Sequence, residues 1–266
     1  MFQKINDFLS SRKNSKLINE ISNKYLQKVN SFEDELRSFS QDDLINKINL
    51  LKDSYLNNDS EALKEEDICI ICSITREVSK RTLGLRHFDS QIIGGIALYH
   101  GLIAEMKTGE GKTLVATIPI ILNYIFWRRV HLITVNDYLA KRDSLWMAPI
   151  YKYLNISNAF IQNDQTIEEK IEAYNCHVVY GNNNEFCFDY LRDNLRSFRS
   201  PKMQKALQVA VIDEADSVLI DESRSPLGIS GPVKTPIELF KMCYDITKNL
   251  ITDDVEINEE RKNVLL

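Results

Sequence analysis

The sequence predicts an α/β fold: a parallel β-sheet flanked by helices and preceded by an N-terminal helical segment. Three observations predict it. Helical patterning fills roughly the first ninety residues; from Ile92 onward short apolar runs alternate with helical stretches; and two of those runs end in chemically distinctive residues, a glycine-rich turn at 106–113 and the carboxylate pair Asp213-Glu214. Alternating strands and helices build parallel sheets, which present functional residues at the carboxyl ends of their strands.

The elements follow in order. Phe2, Ile5, Phe8 and Leu9 share one face of a short amphipathic start, suited equally to a membrane or partner and to packing on its own domain. Ser40 before Asp42-Asp43-Leu44 reads as an N-cap with an acidic first turn. Cys69 and Cys72 have metal-knuckle spacing but lie in an apolar run with no second pair or nearby histidine; the run reads as buried helix, and no zinc is expected. Strand-like runs occupy 102–106, 130–135, 157–161, 177–180 and 209–212, with helical stretches between them. Ser225-Pro226, Gly228, Ser230-Gly231-Pro232 and Pro236 then mark a linker or a crossing between domains. A helix over about 237–250 follows, and 253–262 reads as solvated surface or a hairpin. These shifts divide the chain into a helical segment at 1–84, a sheet domain at 85–224 and a further segment at 225–266. Val264-Leu265-Leu266 ends the sequence without a polar tail, which is unusual for a finished domain.

Composition narrows the function classes. The 266 residues, 44% hydrophobic and 27% charged, suit one large or two modest globular domains. A net charge of −5 gives no global attraction to nucleic acid or anionic lipid, so any such contact needs a local patch. Five scattered cysteines fit a reducing compartment better than a disulfide framework. The longest apolar stretch, 114–126, contains Pro119 and Asn123 and falls short of the ~18 residues of a membrane span. No continuous apolar region follows Lys4, so a cleaved secretory signal is not expected.

Met106-Lys107-Thr108-Gly109-Glu110-Gly111-Lys112-Thr113 carries the chemistry. Gly109 and Gly111 admit positive φ and let the backbone N–H groups of the loop from Thr108 through Glu110 crowd against phosphate oxygens; the helix that follows favours the anion. Lys112 reaches the β- and γ-phosphates, and the Thr113 hydroxyl holds Mg²⁺, so ATP and Mg²⁺ are the expected ligands. Met106 departs from the relaxed P-loop pattern, which has a small residue there.

At the end of the run 209–212, Asp213 is placed to bind Mg²⁺ through water and Glu214 to orient or deprotonate the attacking water. Alone, these carboxylates fit a capped helix start equally well; the P-loop about a hundred residues earlier favours the nucleotide reading. Upstream, the Gln91 amide can both donate to and accept from adenine, with Phe88 beside the base.

Asp-Glu-Ala-Asp with an upstream glutamine belongs to two-lobed motor ATPases, among them nucleic-acid helicases. The segment Thr134-Val135-Asn136-Asp137-Tyr138-Leu139-Ala140-Lys141-Arg142-Asp143 is not the Pro-Thr-Arg-Glu-Leu type of those helicases. It resembles the SecA preprotein translocase motors. So do Leu85-Arg86-His87-Phe88-Asp89, Ile93-Gly94-Gly95, the run from Ala104 to Thr113, Phe188-Asp189-Tyr190-Leu191-Arg192-Asp193-Asn194 and Leu219-Ile220-Asp221-Glu222. Within that family Met106 is a normal variant; Asn182, Cys187 and Gly228 depart from its pattern.

The resemblance implies a RecA-like P-loop NTPase domain, incomplete here, with 225–266 as the start of a preprotein cross-linking domain. It implies ATP-driven transfer of unfolded preproteins through the SecYEG channel, with a DEAD-box helicase lobe as the alternative. Lys112 and Glu214 become the catalytic residues, Phe88, Gln91 and 108–113 the nucleotide-binding ones, and Thr113 and Asp213 the Mg²⁺ ligands. It further implies a cytoplasmic protein, peripheral on the anionic inner-membrane surface, or a plastid stromal one at the thylakoid; it admits a homodimer, and no nucleic acid is expected. Without the second lobe and its arginine finger, worth 10³–10⁵ in rate, the chain is expected to hydrolyse ATP feebly.

Overall fold

The computed structural model describes residues 14–56, 62–126, 128–195, 202–228, 237–248, 256–258 and 263–265. The amphipathic start at Phe2, Ile5, Phe8 and Leu9 lies outside them. The chain divides into two compact units, Met1–Leu227 and Gly228–Leu266.

The first unit begins with helices. After a π-helical turn at Ser22–Leu26 come α1 (Gln27–Ser31), α2 (Glu33–Arg37), α3 (Gln41–Leu56) and α4 (Glu65–Leu83). Ser40 starts α3 by a reciprocal cap: its hydroxyl accepts from the Asp43 N–H at 3.2 Å, and the Asp43 carboxylate accepts from the Ser40 N–H at 2.9 Å.

α4 is the central helix of this layer. Ile68, Cys69, Ile71, Cys72, Ile74 and Val78 are all buried. Ser73 and Thr75 enter the same core because each hydroxyl donates to the carbonyl four residues back, at 2.7 and 2.8 Å. Acidic residues open the helix and Lys80 and Arg81 close it, matching the macrodipole; Gly84, at φ +70°, ends it by donating its N–H to the Lys80 carbonyl. Burial pushes the Cys69 thiol up to about 11 and the Cys72 thiol higher still, as expected of cysteines packed in a helix.

The remaining helices of the first unit are α5 (Asp89–Tyr99), α6 (Lys112–Val115), α7 (Thr117–Tyr124), α8 (Asp137–Tyr153), α9 (Ile167–Asn175) and α10 (Asn183–Leu195). They surround a sheet of β1 (Val130–Thr134), β2 (Asn158–Phe160), β3 (Val178–Asn182) and β4 (Val209–Ile212). All pairings are parallel and the order is β2-β3-β1-β4. β1 and β3 are central, which is why burial runs along them rather than alternating, His131 included.

Every residue of α7 is buried, so the longest apolar stretch is a core helix; Pro119 is tolerated in its first turn, where no intrahelical donor is needed. α5 packs on α7 through Gly95, where a Cβ would lie 2.6 Å from Ile118 Cβ.

One expected strand does not form. Residues 102–106 are irregular, with Ile103 90% exposed. The apolar run has strand character, but it joins neither edge of the sheet, and an extended segment without a ladder gains nothing over its bonds to water. The segment leaves α5 through a helix-terminating turn, with Gly101 at φ +73° and the Leu102 N–H on the Ala97 carbonyl.

The second unit contains α11 (Ile237–Lys248) and an antiparallel pair, β5 (Glu256–Asn258) and β6 (Asn263–Leu265), in register with Ile257 opposite Val264 along the backbone. No described helix is long and apolar enough to cross a membrane.

Candidate functional site

The P-loop turns between the irregular segment and α6. Gly109 and Gly111 sit at φ +88° and +77°, the left-handed conformation that glycine adopts without strain. Gly111 has a second reason to lack a side chain: a Cβ would lie 2.5 Å from the Gln91 amide nitrogen. Glu110 closes the turn, its carboxylate accepting from the Lys107 N–H at 2.9 Å and its own N–H donating to the Lys107 carbonyl. Met106 finds room because Gly94 faces it; a Cβ on Gly94 would be 3.4 Å from the Met106 sulfur. Lys112 and Thr113 are the first two residues of α6, both partly exposed.

β4 delivers the carboxylates. Its pairing with β1 continues one residue beyond the strand, with the Asp213 N–H on the Ile133 carbonyl at 2.8 Å, and Glu214 then turns abruptly at φ +52°. A non-glycine residue in that region is strained, and such strain concentrates at functional sites. Burial raises the Asp213 carboxyl above the usual carboxylate range and neighbouring Glu214 adds to this, while Lys112 opposes it. The Lys112 ammonium lies 3.3 Å from the Glu214 carboxylate, so the fold joins two motifs 102 positions apart. A π-helical turn, Ser217–Asp221, follows them.

Of the two residues expected beside adenine, Phe88 is 70% exposed next to the first turn of α5, while Gln91 is buried. The Gln91 side-chain oxygen accepts from the Phe88 N–H at 2.9 Å, and its amide nitrogen donates to the Glu110 carbonyl of the P-loop at 2.8 Å. The amide thus ties the first turn of α5 to the glycine-rich loop. One N–H and one lone pair remain, the set that adenine's N7 and N6 require.

His87 is a contributor that sequence reasoning passed over. It is wholly buried, its Nε2 lies 3.1 Å from the Leu114 carbonyl, and burial holds its pKa down to about 4. The neutral ring therefore donates to that carbonyl and locks the segment before α5 onto the helix that follows the P-loop. The signal was available, as a histidine within Leu85-Arg86-His87-Phe88-Asp89, but burial is not readable from a polar residue in a loop. Asn182 caps α10 by accepting from the Glu185 N–H at 2.7 Å and also donates to Asp137. Cys187 is exposed.

A parallel sheet flanked by helices, with a glycine-turned Gly-Lys-Thr loop facing an Asp-Glu strand end, defines an ATPase domain of the RecA-like class. The family model of the SecA DEAD-like domain matches residues 5–264, and the chain belongs to that family. Its relatives include proteins named Protein translocase subunit SecA from Legionella pneumophila (strain Corby), 50% identical over 236 residues, and Wolbachia pipientis wMel, 43% identical over 254. These matches cover 89% and 95% of this chain but only 26% and 29% of the relatives. The corresponding protein of Clostridium novyi (strain NT) is 42% identical over 266 residues, 100% of this chain and 31% of its own length. The chain thus spans under a third of the length of these relatives, and the match favours a translocase over a nucleic-acid helicase lobe.

Proposed function

We propose that this chain is the nucleotide-binding portion of a protein-translocating ATPase, working with unfolded preproteins and the SecYEG channel. It acts from the cytoplasm at an anionic membrane surface, or from a plastid stroma. The observation that supports the reading is the 3.3 Å contact of Lys112, in the glycine-rich loop, with Glu214, at the end of β4.

Residues 108–113 hold the triphosphate, with Lys112 exchanging Glu214 for the β- and γ-phosphates. Glu214, released from that ion pair, accepts the proton of the attacking water. The Thr113 hydroxyl and the Asp213 carboxylate are the hard oxygen donors that fit Mg²⁺, which supplies charge neutralisation on the phosphates. Adenine rests beside Phe88 and takes the spare donor and acceptor of Gln91. The segment 225–266 is the start of the preprotein cross-linking domain, following a nucleotide-binding domain at 85–224 and a helical segment at 1–84. Turnover by this chain alone is weak, because an arginine finger from a second lobe contributes 10³–10⁵ in rate; whether two copies associate is read from mass in solution.

Titration with a fluorescent ATP analogue and Mg²⁺ tests the site: Lys112→Ala is expected to abolish most of the affinity, and an unchanged affinity would overturn the cradle. Single-stranded RNA stimulating hydrolysis would overturn the translocase reading.

A further inference from the structure

The base segment is gripped from outside the nucleotide site by a guanidinium on α4. Arg76 is 1% exposed and reaches two elements at once. Its Nη1 donates to Asn30 Oδ1 of α1 at 2.6 Å, and its Nη2 to Asp89 Oδ1 at 2.8 Å. Asn30 Nδ2 donates to the other Asp89 oxygen at 3.4 Å, closing the ring. Asp89 is the first residue of α5, directly after Phe88 and two before Gln91.

The other flank of Phe88 is held from the same helices. Arg86 forks onto the Glu33 carboxylate of α2 through Nε at 2.8 Å and Nη2 at 2.6 Å. Glu33 also lies 3.7 Å from Arg76 and 3.3 Å from Arg37. A buried guanidinium is costly to desolvate, and a fork that meets partners on two elements defines geometry more than it adds net stability.

We infer that Arg76 is a positioning residue for base recognition: with Asn30 and Glu33 it fixes the start of α5, making the N-terminal helices part of the selectivity for adenine. The inference rests on the proposed reading that Phe88 and Gln91 recognise the base. The orientation of the Gln91 amide depends on the Phe88 N–H, so an unanchored first turn of α5 loses the base. The P-loop, closed by its own Glu110 contacts, keeps the triphosphate.

Competition titrations of the full 266-residue chain with ATP, GTP and inorganic tripolyphosphate test this. Arg76→Lys keeps the charge without the fork, Asn30→Ala removes one partner, and Asp89→Asn removes the charge at a half-exposed site while keeping an acceptor oxygen, with unchanged tripolyphosphate affinity showing that each variant is folded. Each is expected to lower the ATP-over-GTP selectivity about tenfold, as loss of a charge-assisted hydrogen bond implies, with tripolyphosphate affinity held within about twofold. Equal losses for all three ligands, or wild-type selectivity throughout, overturn the inference. Gln91→Ala separates the two levels. If it leaves selectivity intact, the base reading fails and the inference with it; if it alone removes selectivity, only the role of Arg76 fails.

Discussion

Glu214 occupies a left-handed backbone position at φ +52° and spends its carboxylate on Lys112 at 3.3 Å. Both side chains are partly exposed, at 33% and 43%, so the pair is worth no more than about 1 kcal/mol. ATP must displace it, and Glu214→Gln is therefore expected to raise ATP affinity by up to about fivefold while removing turnover. Titration and a phosphate-release assay measure the two effects, and weakened binding would contradict the displacement. Gly111→Ala acts in the opposite sense. It forces a side chain into φ +77° against the Gln91 amide, with an expected loss of about 1–2 kcal/mol in unfolding free energy and of the Gln91–Glu110 hydrogen bond. The glycine-lysine-threonine spelling was legible because the backbone conformation it needs restricts the residues that can serve. What Gln91 does before any base arrives was not, since contacts to a loop carbonyl nineteen positions away leave no periodic trace.

At the scale of elements, the four strands of the main sheet were readable from apolar runs bounded by polar turns. The run at 102–106 shows where that method fails, because strand character in a sequence is only a capacity to pair. Hydrogen exchange is expected to separate the cases: amides at 102–106 exchange orders of magnitude faster than those of β1 and β3, and equal protection would show a pairing partner.

A second feature of this scale had no sequence signal. Lys170 of α9 donates to Glu185 and, at 3.1 Å, to Asp189, both of α10; Tyr174 donates to the same Asp189 at 3.0 Å, and Asp193 accepts from the Met203 and Gln204 N–H groups. All of these side chains are buried, so they pin α9, α10 and the approach to β4 together. Lys170→Met leaves the buried Glu185 carboxylate uncompensated, while Asp189 keeps Arg192 at 2.8 Å, and is expected to reduce stability by about 3–5 kcal/mol in denaturant titration. A loss below 1 kcal/mol would show water reaching the cluster.

For the molecule as a whole, acid stability brings the same themes together, because its four histidines all have lowered pKa values and burial is the largest cause in each. The first unit is one compact body whose larger apolar cluster is shared by the N-terminal helices and the sheet, with a smaller cluster against α9 and α10, so histidines distributed from the start of α5 to β1 and the entry to β3 report on a common unfolding event. A histidine held neutral in the native state takes up its proton only on unfolding, so the unfolded chain binds more protons below the ordinary pKa of 6.5. The stabilisation is present in full above that value and is lost progressively as pH falls toward the folded value, about 4 for His87 and His131. Between pH 7 and 5 each of these two withdraws roughly 2 kcal/mol, with His100 and His177 acting in the same direction. Glu33, held down to about 2 with its hydrogen bond to Arg86 as the largest cause, adds its loss only below about pH 4.5. Thermal unfolding followed from pH 7.5 to 5 should therefore show a midpoint that falls steadily before the carboxylates titrate. A flat midpoint over that interval would mean that the histidines are hydrated in the native protein, and that His87 does not lock the segment before α5 as a neutral donor.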